Sequence, residues 1–126
     1  MRLALSALAL AATLAAHAQA PALQPSVRLL VQSSPLAGFR HGEAEQVWPL
    51  LRPGDVLELV REPDNPHDKN AVRVDWRGRK LGYVPRSENG ALAWAMDRGE
   101  SLRARVSRLA EHRNPRRRIE FEVYVE

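Results

Sequence analysis

The 126-residue chain contains no cysteine, which excludes disulfide bonds and thiolate metal sites. It is also poor in lysine, because only Lys69 and Lys80 among its 19 basic residues are lysines and the rest are arginines. The usual motifs of catalysis are missing as well: there is no Ser/His/Asp spacing, no paired-carboxylate motif and no glycine-rich phosphate loop. These absences predict a protein that is not an enzyme and carries no cofactor.

The charge that is present comes mainly from arginine, and the formal net charge is +4. Residues 103–118 contain seven arginines and one acidic residue, Glu111. Guanidinium groups bind phosphate and carboxylate in a forked geometry, which favours an anionic partner. The codon composition of the source genome could produce the same bias, so composition alone leaves both explanations open.

The first 18 residues have the layout of a secretory signal peptide. Arg2 supplies a short positive segment, residues 3–16 form an apolar run, and Ala16-His17-Ala18 provides small residues before a cleavage site. The run is too short and too rich in alanine for a convincing membrane span, and the alternative is a buried alanine-rich helix. We therefore predict cleavage after Ala18, export to the periplasm or the extracellular space, and no membrane insertion after cleavage.

The remaining chain is predicted to form one small β-domain. Residues 19–26 are expected to be a flexible lead-in, and residues 27–126 are long enough to bury a core of their own. Short helices are predicted over residues 43–48, ending before Pro49, and over residues 87–97. Alternating apolar and polar residues predict strands over residues 27–32, 56–61, 71–76, 80–84, 102–109 and 118–125. Short antiparallel strands tend to close because closure removes exposed edges, so we expect a mainly β fold, a small OB-like or SH3-like antiparallel barrel with one or two short helices.

The most distinctive segment is the polar, proline-containing loop of residues 61–70, between two predicted strands. Asn65, His67, Asp68 and Lys69 offer an amide, a planar polar ring, a carboxylate and a cation. A tight turn without a ligand needs the same asparagine, aspartate and proline residues, so both interpretations remain open. One histidine beside Asp64 and Asp68 is a poor metal signature, and we predict no metal site.

Residues outside this loop can add to a binding site. Tyr83 and Arg86 follow the strand predicted to pair with residues 71–76, so we expect them near the loop. Phe39, Arg40 and His41 lie in an earlier loop and offer an aromatic ring and a cation. Aromatic faces, arginines and an aspartate suit the end of a nucleic-acid strand, where bases stack, phosphates meet cations and a carboxylate accepts from a sugar hydroxyl. The alternative is that the rings are half-buried barrel residues and that Asp68 caps its own loop.

Several strings of the sequence, taken together, resemble the HIRAN domain. They are Gly38-Phe-Arg-His-Gly42, Val60-Arg-Glu-Pro-Asp-Asn-Pro-His-Asp-Lys-Asn-Ala-Val72, Lys80-Leu-Gly-Tyr-Val-Pro-Arg86, Asn89 and Ala91-Leu-Ala93. The resemblance covers roughly residues 27–110. It implies an OB-like barrel and, as in the helicase-linked members, binding of single-stranded DNA with capture of its free 3′ end.

The same resemblance implies roles for individual residues. Asn65, His67 and Asp68 would lie at the terminal nucleotide, with Asp68 near its 3′-hydroxyl. The base and the backbone phosphates would be contacted by Tyr83 and Arg86. In related sequences, aromatic residues that stack on bases occupy the positions of Phe39, Arg40 and His41.

Two functions remain open at this stage. The first is a non-catalytic module that binds nucleic acid, namely single-stranded DNA and, in the sharper version, its 3′ end. The second is an exported envelope interaction module, in which the same barrel binds a protein or an acidic polymer. The predicted export favours the second function, and the chemistry of the loop favours the first.

Cleavage of the signal peptide can be tested by expressing the whole chain in a bacterial host. We expect the protein in the periplasmic fraction with an intact mass that corresponds to a chain starting at Gln19. A Leu8→Arg variant, which puts a charge into the apolar run, should stay uncleaved inside the cell. Recovery of the full-length wild-type chain from the cytoplasm would contradict the assignment.

Overall fold

Six strands form the framework of the fold in the computed structural model, which describes residues 27–125. They are β1 (Leu29–Pro35), β2 (Val56–Arg61), β3 (Val72–Trp76), β4 (Arg79–Tyr83), β5 (Arg103–Leu109) and β6 (Ile119–Val125). Neighbouring strands are antiparallel, in the order β1-β6-β5-β2-β3-β4. The predicted signal peptide and the lead-in of residues 19–26 lie outside the described residues.

Two short α-helices connect these strands, α1 (Ala44–Val47) and α2 (Gly90–Asp97). The first was expected to stop before Pro49, but the chain continues as a 3₁₀ turn over Trp48–Leu50. Proline is tolerated there because the missing N–H would have no helical partner in a first turn. The second was expected to begin near residue 87, where a separate 3₁₀ turn, Arg86–Glu88, comes first. No helix among residues 27–125 has the length and apolar character needed to cross a membrane.

The two edges of the sheet meet at one point. Just beyond β1, Ala37 pairs with Tyr83 of β4: each backbone N–H donates to the other residue's carbonyl oxygen, at 2.9 Å in both cases. A Cβ atom on the neighbouring Gly82 would lie 2.2 Å from the carbonyl oxygen of Ala37, so only glycine permits this approach. The mainly β, OB-like fold is therefore confirmed, as a curled sheet that is tied at one bridge and is not hydrogen-bonded all the way around.

The core lies inside this curled sheet and follows the predicted alternation of the strands. In β6, Ile119, Phe121 and Val123 are fully buried, as the period-2 pattern predicted. In β3 the buried residues include Val72, Val74 and Trp76, which face the same core. The apolar pattern of the second helix predicts an inward face of Ala91, Leu92, Ala95 and Met96. That prediction was wrong at Ala91, which is exposed, and Ala93 is buried instead.

Closure of the sheet should depend on Gly82. A Gly82→Ala substitution forces a side-chain carbon into the Ala37 carbonyl, and we expect it to lower the free energy of unfolding by about 1–3 kcal/mol. Gly90→Ala is the matched control, because no atom lies within 4 Å of the added carbon. Urea denaturation followed by circular dichroism measures both variants. Equal stability of the two would show that the bridge does not hold the sheet closed.

Candidate nucleic-acid interface

The loop between β2 and β3 is shaped by its own polar side chains. Asn65 Oδ1 accepts hydrogen bonds from the backbone N–H groups of His67 and Asp68, at 2.9 and 3.2 Å. Asp68 Oδ1 accepts in the same way from Asn70, at 2.9 Å. These turns form locally because asparagine and aspartate side chains reach the backbone two or three residues ahead. The loop is therefore preformed, and much of the hydrogen-bonding capacity of Asn65 is used to build it.

A partly buried carboxylate, that of Glu62, connects the loop to the sheet. Its Oε1 accepts from Tyr83 Oη at 2.8 Å and from Asn65 Nδ2 at 3.1 Å. Its Oε2 accepts from Arg73 Nη1 at 2.9 Å, and Arg73 also makes a two-pronged contact with Asp75, at 2.8 and 3.0 Å. We call these five residues the Glu62 network.

The electrostatics of the network keep Glu62 ionised. Burial alone would raise the pKa of this carboxyl group, but the hydrogen bonds from Asn65, Tyr83 and Arg73 and the charge of Arg73 outweigh it, so the pKa lies below its usual value. The hydrogen bonds from Arg73 to Asp75 are the main reason that the pKa of Arg73 is raised, against the opposing effect of burial. An ionised carboxylate is an acceptor at both oxygens, which is what its three donors require.

Asp68 ties the loop to the segment before α2. Its Oδ2 accepts a hydrogen bond from Asn89 Nδ2 at 2.7 Å, and Asn89 is only 2% exposed. The carboxylate itself is half-buried. Because each carboxylate oxygen can accept more than one hydrogen bond, Asp68 keeps acceptor capacity for a ligand.

The loop borders two adjoining depressions of about 360 and 390 Å³, which we call together the loop cleft. Four of the predicted site residues line both depressions, and Tyr83 lines the first. Lys80 also faces the first, with its Nζ 4.7 Å from the centre of the Tyr83 ring. Five of the eight predicted site residues are thus brought together: Asn65, His67, Asp68, Tyr83 and Arg86.

The other three predicted residues do not line the loop cleft. Phe39 is 3% exposed, and its ring is packed edge-on against Trp48 with the Arg118 guanidinium 5.0 Å from its centre. The turn after Ala37 draws this ring into the core, and a stacking contact between Phe39 and a base stays a prediction. Arg40 and His41 are exposed in the same turn, and their contact with a ligand stays a prediction.

Glu62, Lys80 and Asn89 lie in the strings that resemble the HIRAN domain, but none of them was among the predicted site residues. The first two could have been found from strand register, because β3 and β4 place Arg73 opposite Tyr83 and the backbone of Glu62 bonds to that of Ala71. Asn89 depends on where α2 packs, which no local pattern indicates. Within residues 27–125, no group of three histidine or acidic side chains is arranged to hold a metal ion.

Comparisons of this chain with known proteins all lead to the same family of domains. The family model of the HIRAN domain matches residues 29–126. Over 49 residues, 38% of this chain, the sequence is 43% identical to the helicase-like transcription factor of Oryctolagus cuniculus and 37% identical to that of Homo sapiens. The match spans only 5% of the length of each of these relatives.

Two solved structures share the fold. A protein from Lactobacillus plantarum superposes with a TM-score of 0.68 and 27% identity, over 78% of this chain and 94% of that one. The HIRAN domain of human HLTF superposes with a TM-score of 0.56 and 23% identity, over 77% of this chain and 75% of that one.

The Glu62 network should give the protein a pH-dependent stability. Glu62→Gln removes the charge that Arg73 faces, and because the site is partly exposed we expect a loss of about 1 kcal/mol in unfolding free energy at pH 7. The folded-state pKa of Glu62 is lowered, so its contribution is complete above the ordinary value of 4.5 and is lost as pH falls through the folded pKa. The difference between variant and wild type should therefore shrink below about pH 4.5.

Urea titrations at pH 7 and pH 3 measure this difference. Glu120→Gln is the control, because Glu120 is exposed and has the same charge outside the network. A gap between Glu62→Gln and wild type that is the same size at both pH values would refute the assignment.

Proposed function

Because the chain belongs to the HIRAN domain family, we propose that it is a non-catalytic module that binds nucleic acid, with single-stranded DNA as its ligand and the 3′-terminal nucleotide in the loop cleft. The observation that supports the proposal is that side chains of different chemistry line one depression, whose loop is already shaped by its own hydrogen bonds. His67, Asp68, Tyr83, Lys80 and Arg86 line it together. They combine planar rings, one carboxylate and two cations, as a nucleotide with its base, sugar and phosphate requires.

Asp68 supports recognition of a free 3′-hydroxyl. Its two oxygens already accept from Asn70 and Asn89, which holds the carboxylate in place and leaves lone pairs for one more donor. A sugar hydroxyl is such a donor, whereas a terminal phosphate would bring negative charge against the carboxylate. The exposed side chain of Arg86 can meet a backbone phosphate on the way out of the cleft.

A second candidate function is an exported module that binds a protein partner or an acidic polymer. The predicted signal peptide favours it, as does the surface of β1. Leu29, Leu30 and Val31 of that edge strand are 64%, 61% and 48% exposed, which is unusual for three successive apolar residues. In that case the barrel would show no preference for oligonucleotides.

The end-capture proposal is tested with 5′-labelled single strands that carry a 3′-hydroxyl or a 3′-phosphate. By fluorescence anisotropy we expect wild type to prefer the hydroxyl by about tenfold, equivalent to roughly 1.4 kcal/mol, with affinity falling as salt rises. Asp68→Asn keeps the shape but removes the charge, so it should lose most of this discrimination.

Asp64→Asn is the matched control, since Asp64 is an exposed aspartate of the same loop. It should discriminate as wild type does. Equal wild-type affinity for the two strands would end the 3′-end version of the proposal, and an absence of oligonucleotide binding would favour the second function.

A further inference from the structure

A second depression lies apart from the loop cleft and shares no lining residue with it. It has a volume of about 450 Å³, within the range of pockets that hold small molecules. Its lining comes from three parts of the chain: Phe39, then Glu45 of α1 with Trp48 of the following 3₁₀ turn, and four residues of the segment 111–118. We call it the hairpin pocket, because that segment connects β5 to β6.

The hairpin pocket offers flat surfaces to a planar ring. Trp48 is partly exposed and is supported from inside by the edge-on ring of Phe39, with the centres 5.9 Å apart. The guanidinium of Arg118 lies over the Phe39 ring and is held there by a 2.8 Å hydrogen bond from its Nε to the His112 carbonyl oxygen. Indole rings and guanidinium planes are the surfaces on which unpaired bases stack.

The charged groups of the pocket balance one another. Two carboxylates, Glu45 and Glu111, face two guanidinium groups, Arg113 and Arg118. Within the described part of the chain, Glu45, Glu111 and Arg113 make no hydrogen bond or ion pair through their side chains, so they are available to a ligand. Because the two negative and two positive charges cancel, the pocket favours a neutral ligand with both hydrogen-bond donors and acceptors over a phosphate or a simple cation.

Among the nucleobases, guanine matches these groups best. Its O6 and N7 accept from an arginine, and its amino group donates to a carboxylate. His112 adds a further donor: its Nδ1 accepts from the Asn114 N–H at 2.9 Å, which leaves the proton of the neutral ring on Nε2. No other DNA base has two neighbouring acceptors on one edge, which suit the fork of an arginine, together with two neighbouring donors on another edge, the N1–H and the amino group of guanine, which suit a carboxylate.

A short stretch of backbone connects the linings of the two depressions. Phe39 lines the hairpin pocket and follows Ala37 by two residues, and Ala37 pairs with Tyr83 at the loop cleft. Two extended residues span about 7 Å and a hydrogen-bonded pair of residues about 5.5 Å, so the backbones of Phe39 and Tyr83 lie within about 12 Å of each other. We propose that the hairpin pocket is a second subsite that selects an unpaired guanine on the single strand whose end occupies the loop cleft, an inference that rests on the proposed function.

The test uses labelled thymine strands of 12 nucleotides with one guanine moved stepwise from the 3′ end. Anisotropy with the mature protein should show a position at which guanine raises affinity about tenfold over thymine. Arg113→Gln, and Glu45→Gln combined with Glu111→Gln, should each remove this gain while thymine strands still bind. Inosine, which lacks the amino group, should lose the part of the gain that the carboxylates supply.

Matched controls separate this effect from a general change of charge. Arg103→Gln, and Glu58→Gln combined with Glu120→Gln, alter exposed residues outside the pocket by the same charges and should keep the gain. Equal binding of all strands would overturn the guanine subsite and leave the proposed function standing. The subsite would also be overturned if the gain survived in the pocket variants. Failure of every strand to bind would overturn the proposed function and the subsite together.

Discussion

The ionised carboxylate of Glu62 is the interaction on which the rest of the candidate interface depends. One side chain connects a strand end, a loop and the last residue of β4, because it accepts hydrogen bonds from Arg73, Asn65 and Tyr83 at the same time. A carboxylate in this position is costly to bury, and its partners compensate for that cost. The arrangement holds the loop and the Tyr83 ring in fixed relative positions before any ligand arrives, which lowers the entropy lost on binding.

In the candidate interface, some side chains hold the loop in place and others face the cleft. Asn65 uses its hydrogen bonds on Glu62 and on the backbone, and Glu62 uses its own on Asn65, Tyr83 and Arg73, so both residues position the site. His67 and Arg86 are exposed beside them, and their side chains take no part in these hydrogen bonds. Asp68 belongs to both groups, since it holds Asn89 and still faces the cleft.

Much of the fold could be predicted from the sequence because apolar and polar residues alternate along each strand, which is a local pattern. The bounds of β2 were predicted to the residue, and those of β5 and β6 to within one residue at their start. The failures concern tertiary packing. In the last strand Tyr124 alternates with the apolar residues Val123 and Val125, which predicts a place on the polar face, yet it is 6% exposed because Arg28 and Arg105 lie over its ring. Whether a ring is covered depends on partners far away in the chain, which periodicity does not encode.

In the candidate site, too, the features that depend on local sequence were predicted and those that depend on tertiary packing were not. Turn chemistry and hairpin pairing brought five predicted residues together, since both are local properties of sequence. Phe39 lies apart because the turn after Ala37 buries it. The bridge between Ala37 and Tyr83 borders the loop cleft, and Phe39, which lines the hairpin pocket, follows Ala37 by only two residues. We therefore expect a substitution that displaces the backbone at this bridge to change the shape of both depressions.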